Sequence, residues 1–386
     1  MIYLDQAATS YPKPPEVGEA MCTALQKAGN SGRGGHFLSL EASRLVFDAR
    51  LELAELFGAE DPSCIAFTAN ATESLNLALL GILRPGDHVI TTESEHNSVL
   101  RPLYSLETAG VEVTIVKADR RGVVDFSRLG SHLRPNSRAM VITHASNVTG
   151  NVVPIDQVGA FCQEHGLILI VDAAQTAGWY PYNLHSSLID ILAFTGHKAL
   201  YGPPGIGGIY VKPGSVVPRP LKTGGTGVQS FSKTQPSQMP EALEAGTLNV
   251  PGIAGLKAGV RYVSGLGLRE IRRLEAELTG YFYQGVKEIP GVEVYGDFST
   301  CDRCPIVSLN ITSMESSLVS QLLADEYGVF TRSGAHCAPL MHGALGTGER
   351  GAVRFSFSHR NTKKELDTAL QALLDLAKRP RRSSHG

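Results

Sequence analysis

The chain of 386 residues has no apolar run approaching the length that crosses a bilayer, and its opening, MIYLDQAATSYPKP, lacks the pattern of a signal peptide. A soluble, cytoplasmic protein without membrane association is expected. Charge of one sign is missing too: 35 Lys and Arg against 37 Asp and Glu give a formal net charge of −2, which supplies no field for nucleic acid or a strongly acidic partner. Cysteine is sparse, with six residues at 22, 64, 162, 301, 304 and 337, and a cytosolic chain keeps such scattered thiols reduced. Cys301 and Cys304 form a CxxC, but with no second pair beside it no metal site is expected; incidental spacing is the first reading and a redox role the second. Internal repeats and low-complexity segments are absent. What the chain does have is apolar material, 42% of its residues, enough for a large core, and a length that predicts two domains.

The most informative stretch is Leu167 to Gly208, LILIVDAAQTAGWYPYNLHSSLIDILAFTGHKALYGPPGIGG. An unbroken apolar run, Leu167 to Val171, stops at Asp172, the pattern of a buried parallel strand that delivers a carboxylate to a sheet edge. A second run, Ile189 to Phe194, broken only by Asp190, delivers Thr195, Gly196, His197 and Lys198 to the same edge, where open α/β sheets bind ligands. Taken alone, an acid and a lysine brought together are as readily a salt bridge or two solvated loop charges.

Around that stretch helices and strands alternate. Pro14 or Pro15 starts a helix running to about Lys27, Glu41 to Phe57 has helical period and stops at Gly58, and Cys64 to Thr68 reads as a strand. Ala69 to Ser74 then opens a helix through Leu83; free N–H groups at its start, at Ala71 and Thr72, with the threonine hydroxyl, make an anion site, while Thr72 serves equally as a cap. Strands are predicted at His88 to Thr91, Val111 to Val116, Ala139 to His144 and Ile209 to Val211, with helices at Phe126 to Leu133 and from Pro154 to near Gly166. Leu221 to Leu248 reads as an irregular loop near a site or interface. One long helix is predicted from Ile253 to about Val286. Strands near Val292 and at Ile306 to Asn310, and helices at Ser316 to Tyr327 and Thr362 to Ala377, complete an α+β unit.

The string VDAAQ followed by TGHKALYGPPGIGG resembles the cofactor site of fold-type I pyridoxal-phosphate (PLP) enzymes, and the chain is similar to the class V aminotransferase branch holding the cysteine desulfurases and selenocysteine lyases. The resemblance runs from Leu4 to the final helix. It implies an aspartate-aminotransferase-like α/β fold, with a mainly parallel large domain at 16–252, a smaller α+β domain made of 1–15 and 253–378, and a flexible tail at 379–386. It implies PLP as cofactor, with Lys198 forming the Schiff base and Asp172 keeping the pyridine nitrogen protonated. His96, in EHNSVLRP, matches the imidazole that stacks on the ring and moves protons; Gln175 would donate to the phenolate, with a turn amide as its other role. Asn147, in SNVTG, matches the asparagine beside ring and substrate carboxylate. Thr195 and His197, with Ala71 and Thr72, would hold the phosphate. Thr247, in LEAGTLN, matches a threonine that crosses a homodimer interface to the partner's phosphate. Gln6, Asn70 and Ala335 depart from the Asn, Gly and second His that many relatives carry there; Asn70 is expected to tolerate a positive φ.

Thr331 to Pro339, TRSGAHCAP, is similar to the mobile loop that carries the sulfur-accepting cysteine, and its place after glycine and before proline suggests that Cys337 is exposed. A nearby cation, His336 or Arg332, would favour the thiolate. Arg354, alone among apolar neighbours in GAVRFSFS, would grip the substrate carboxylate or pair with a protein Asp or Glu. Arg33, Arg332 and His36 are further candidates to face substrate. The short loop after Cys337 favours the SufS-like group II enzymes. The implied function is release of sulfur from L-cysteine, giving L-alanine and a persulfide on Cys337 for an acceptor protein, in sulfur metabolism and iron–sulfur cluster assembly. The alternatives are a selenocysteine lyase acting on L-selenocysteine, another carbon–sulfur lyase, an epimerase or an aminotransferase on the same scaffold, or, from another class, a non-catalytic sulfur carrier or nucleotide-binding module.

Overall fold

The computed structural model describes residues 1–32 and 34–379; Arg33 and the tail from 380 onward lie outside the described residues. Its central sheet has seven strands, in the order Ile65–Thr68, Gly207–Val211, Ile191–Thr195, Ile168–Asp172, Ser137–Thr143, His88–Thr92, Glu112–Val116. All run parallel except Gly207–Val211, which is antiparallel to both neighbours.

Why these strands are apolar throughout follows from what covers them. Along Ile168–Asp172, Leu169 and Val171 enter one core while Ile168 and Ile170 enter another, and Leu192 and Phe194 separate from Ile191 and Ala193 in the same way. Successive side chains point to opposite faces, so both faces of the sheet are buried and neither strand tolerates a polar residue before its end. Helices Phe37–Phe57, Ile155–Glu164 and Val250–Leu266 cover one face, and Ala71–Ile82 with Asn97–Thr108 cover the other. The chain is therefore α/β with a mostly parallel sheet, as expected.

A second, antiparallel sheet of four strands, ordered Arg332–Gly334, Ala352–Ser356, Ile306–Ile311, Val292–Tyr295, packs its own core of Leu309, Phe355, Phe282 and Leu373. The N-terminus joins it: Ile2–Tyr3 pairs in parallel with Val329–Phe330, Leu4 is fully buried in that core, and Asp5 bridges to Ser356.

Most predicted elements appear within a few residues of their expected bounds, and the departures have local causes. The long helix after Ile253 is two, Val250–Leu266 and Leu268–Lys287, because Gly267 takes φ +82° between them. The helix expected from Glu41 begins at Phe37, where His36 accepts from the Ser39 N–H and caps it. Phe126–His132 is a 3₁₀ helix. Asn70 does not need a positive φ: it is extended, at φ −175°, and its Oδ1 accepts from Glu73 N–H at 3.0 Å, so Asn70, not Thr72, is the cap of Ala71–Ile82. Between Lys222 and Leu248 the chain forms no helix or strand.

Candidate active site

Asp172 and Lys198 meet at the carboxyl ends of adjacent strands. Asp172 is the last residue of its strand, paired with Thr143 on one side and Ala193 on the other, and its Oδ1 accepts from Ala174 N–H at 2.9 Å. Lys198 follows the neighbouring strand, in a turn closed by Gly202 N–H to Gly196 O at 2.8 Å. The N-terminal segment fastens that turn from outside. Ser10 N–H, Thr9 Oγ1 and Lys13 Nζ all donate to the His197 carbonyl, and Ser10 Oγ donates to the Lys198 carbonyl at 2.9 Å. Gly207 permits the close fit of the next strand: a Cβ there would stand 2.6 Å from Phe194 O.

A cavity of about 210 Å³ opens at this edge. Asp172, Lys198, His96, Asn147 and Gln175 line it, with Thr195, His197, Ala71 and Thr72. Every residue expected to hold the cofactor is there except Thr247, which is exposed on a separate surface depression that also touches Arg50 and Glu244.

The electrostatics of the cavity favour neutral bases. Burial, with help from Arg354 and Arg332 and against the pull of Asp172, lowers the Lys198 pKa to about 8. Burial and then Lys198 lower His96 to about 4, and His197 falls to about 4 for the same reasons. Asp172 is pushed up by burial, against the Ala174 N–H and Lys198. His96 is further defined by its neighbours: Nδ1 accepts from Ser98 N–H at 3.0 Å, capping helix Asn97–Thr108, so the neutral ring carries its proton on Nε2.

Cys337 is exposed and lies beside the cavity rather than in it. Its carbonyl accepts from Asn97 N–H at 2.7 Å, next to His96, and the carbonyl of His336 accepts from Asn147 Nδ2 at 2.7 Å. The backbone at Cys337 is thus tied to Asn147 in the cavity wall and to Asn97, between the wall residues His96 and Ser98. His336 and Cys337 both take left-handed backbone, φ +49° and +57°, a strain of roughly 1–3 kcal/mol per residue held by those bonds. His336 does not supply a cation: burial, then Arg354, drives its pKa down to about 2, which leaves Arg332 from the expected pair. Arg332 is exposed, directly opposite Arg354 across the strands.

Arg354 is 1% exposed and already paired, through Nη2 to Asp5 Oδ1 at 2.8 Å and Nη1 to Asn147 O at 3.0 Å. Of the two partners open to it from sequence, the protein carboxylate is present; its Nε has no partner. His36 caps a helix and is not brought to the cavity.

A family model described as Aminotransferase class-V matches residues 2–369. The chain belongs to the class-V aminotransferase family. It is 35% identical to a probable cysteine desulfurase of Methanothermobacter thermautotrophicus, over 97% of this chain and 94% of that protein. It is 32% identical to a cysteine desulfurase of Haloferax volcanii, over 97% and 88%. Among solved structures, the apo cysteine desulfurase from Thermococcus onnurineus NA1 superposes with a TM-score of 0.92 at 34% identity, covering 98% of this chain and 94% of that one. The Escherichia coli cysteine desulfurase CsdA, in an S-sulfonic acid form, gives 0.87 at 31% identity, covering 97% and 94%. The fold is thus that of the fold-type I PLP enzymes.

Class-V aminotransferases generally use PLP, and the residues of this member fit it. Thr195 Oγ1 is a buried hydroxyl in the cavity wall with no partner, and a helix N-terminus opens at Ala71 and Thr72. A buried carboxylate and a lysine with a lowered pKa face the same space. Sequence reasoning missed the hands that hold this constellation: Ser98, whose Oγ meets Thr72 Oγ1 at 2.8 Å, Thr143 in the wall, and Asp5, Ser10 and Lys13 behind it. The density of small polar residues in LDQAATSYPKP was the available signal.

Proposed function

We propose that this chain is a PLP-dependent cysteine desulfurase, acting on L-cysteine as a soluble cytoplasmic homodimer. The observation that carries the proposal is the single cavity lined by Lys198, Asp172 and His96, with the backbone of Cys337 bonded to Asn97 at its rim. Its relatives' names and the family's cofactor use support the same reading.

When bound, PLP supplies an aldehyde for the lysine and the substrate amine and a ring that accepts the electron pair from Cα. Asp172 provides the anionic partner for the ring nitrogen, and the start of helix Ala71–Ile82 with Thr195 and His197 provides donors for the phosphate. Lys198 takes the Cα proton at Nζ, a role its lowered pKa suits. Asn147 and Arg354 hold the substrate carboxylate; the free Nε of Arg354 is a donor for it, and exposed Arg332, opposite Arg354 on the next strand, guides its entry. Cys337 Sγ, as thiolate, attacks the substrate sulfur: a sulfur–sulfur bond forms as the carbon–sulfur bond breaks, the electron pair stays with the carbon skeleton, and a proton completes L-alanine. The persulfide on Cys337 then passes to an acceptor protein. In the homodimer, Thr247 reaches the partner's cavity. Residues 16–252 form the cofactor domain and 1–15 with 253–378 the smaller one, except that helix Val250–Leu266, whose Ile253, Leu256 and Val260 enter the core of the large sheet, goes with the cofactor domain.

Cys337→Ala in the PLP-loaded protein tests this: cofactor colour should be retained and alanine release from L-cysteine lost. Retained release would leave a simple lyase or aminotransferase, and assays with L-selenocysteine and cysteine conjugates alongside identify the preferred substrate.

A further inference from the structure

Lys198 stands between two cavities. The larger is the one above. The smaller, of about 40 Å³, lies where the two sheets' layers meet, and Lys198 and Gln175 line both. Its far wall is made by Trp179, Tyr201 and Glu275. Two observations mark it as a place for water. Trp179 Nε1 is buried with no hydrogen-bond partner, and a buried indole N–H without one is costly. The volume suits one water, whose share of the liquid is about 30 Å³, among polar groups able to bind it.

Beyond this cavity the polar groups continue. Glu275 is 5% exposed on helix Leu268–Lys287, and its Oε1 accepts from the His359 N–H at 3.1 Å, with the His359 imidazole Nδ1 at 3.7 Å. Tyr201 OH stands 3.5 Å from the same Nδ1. On the other side of the ring, Nε2 meets Tyr262 OH at 2.9 Å, and Tyr262 is partly exposed. Tyr201 itself is held in left-handed backbone, φ +55°, three residues after the lysine. No step assigned to the larger cavity uses any of these groups.

We propose that the small cavity holds an ordered water donated to by Trp179 Nε1, and that this water, with Glu275 and His359, exchanges protons between Lys198 and solvent at Tyr262. The inference rests on the reading of Lys198 as the group that takes the Cα proton. After that step the ammonium of Lys198 carries one substrate hydrogen among three. It gives that hydrogen to the water and receives one of the water's own, so no net charge moves. The water renews itself by the same exchange with the Glu275 carboxyl, which burial biases toward its protonated form, and Glu275 does so through His359. Glu275 and His359 are positioning residues acting through the water.

The test uses the PLP-loaded protein and L-cysteine deuterated at Cα, in ordinary water, with the deuterium content of the alanine read by mass spectrometry. The native protein should lose most of the label to solvent. Glu275→Gln, which keeps an acceptor for the His359 N–H, and His359→Phe should each retain severalfold more label in protein that still folds and binds PLP, an effect that a purely structural role would not produce. Equal retention in all three, or full retention in the native protein, overturns the relay. A crystal structure supplies a readout independent of turnover: a water within hydrogen-bond distance of Trp179 Nε1 is expected, and a dry cavity overturns the proposal. If the native protein releases no alanine, the desulfurase reading fails, and the crystal structure still decides whether the water site exists.

Discussion

Lys198 is suited to chemistry near neutral pH because its surroundings make the ammonium expensive. Burial, Arg354 and Arg332 all disfavour the charged form, and only Asp172 and Asp5 oppose them, so the pKa falls from 10.5 to about 8. A lowered pKa means that the free amine gains as pH rises through that value. Cofactor-free protein should therefore capture PLP at a rate that climbs from about pH 7 to about pH 9 and then levels, rather than climbing toward the usual lysine range. Stopped-flow absorbance of the bound cofactor measures it, and a rate still rising tenfold per pH unit above pH 9 would contradict the placement of those charges. The same field acts on the imidazoles. His96 and His336 are kept neutral by burial and by nearby cations, so neither supplies the positive charge a thiolate wants. Arg332 remains the cation nearest to that task on its strand.

Among elements, the irregular segment from Leu221 to Leu248 is the one whose order most needs explaining, since it has no ladder of its own. It is anchored at one buried ion pair. Arg50, on helix Phe37–Phe57, makes two bonds to Glu244, at 2.8 and 2.7 Å, donates to Ile65 O at 2.6 Å, and lies over the Phe67 ring. Glu244 also accepts from Phe67 N–H at 2.6 Å. Helix, edge strand and loop are thus tied at one point, three residues before Thr247. Removing one partner of such a pair leaves the other charged and buried, a loss of about 3–5 kcal/mol. Arg50→Ala should lower the unfolding free energy by that order in a denaturant titration, and a loss under about 1 kcal/mol would show that solvent relieves Glu244. The double replacement with apolar residues should recover much of the loss, because no orphan charge is left.

At the scale of the whole molecule, one chain leaves its cavity without Thr247 and its surface with large apolar side chains in water. Phe37 is 69% exposed, Phe47 56% and Phe231 fully exposed. Phe47 sits beside the depression that Thr247 lines. A second copy covering this face would bury Phe47 and bring Thr247 to the partner's site, as the proposed homodimer requires. Sedimentation should then give a dimer, and Phe47→Asp should shift it to monomer with weakened PLP retention. Thr247→Ala should weaken retention with the dimer intact. Full retention in Thr247→Ala would remove the threonine from the site.

Much of this was fixed by the order of residues alone. An apolar run that stops at an acid, followed by another that leads through Thr195, Gly196 and His197 to a lysine, predicts two buried parallel strands with both groups at one edge, because side chains alternate between two covered faces and only the strand ends are free to be polar. The motifs around Lys198, Asn147 and Cys337 carried the family with them. What periodicity did not reveal was which long-range partner each polar group takes. The choice of Asp5 for Arg354, the pinning of Cys337 to Asn97 and the second cavity behind Lys198 all depend on segments 100 or more residues apart being packed together, and the neutral state of His336 depends on how deeply its loop is buried. Burial and neighbouring charge set protonation and pairing, and those are properties of the packed chain that no local pattern contains.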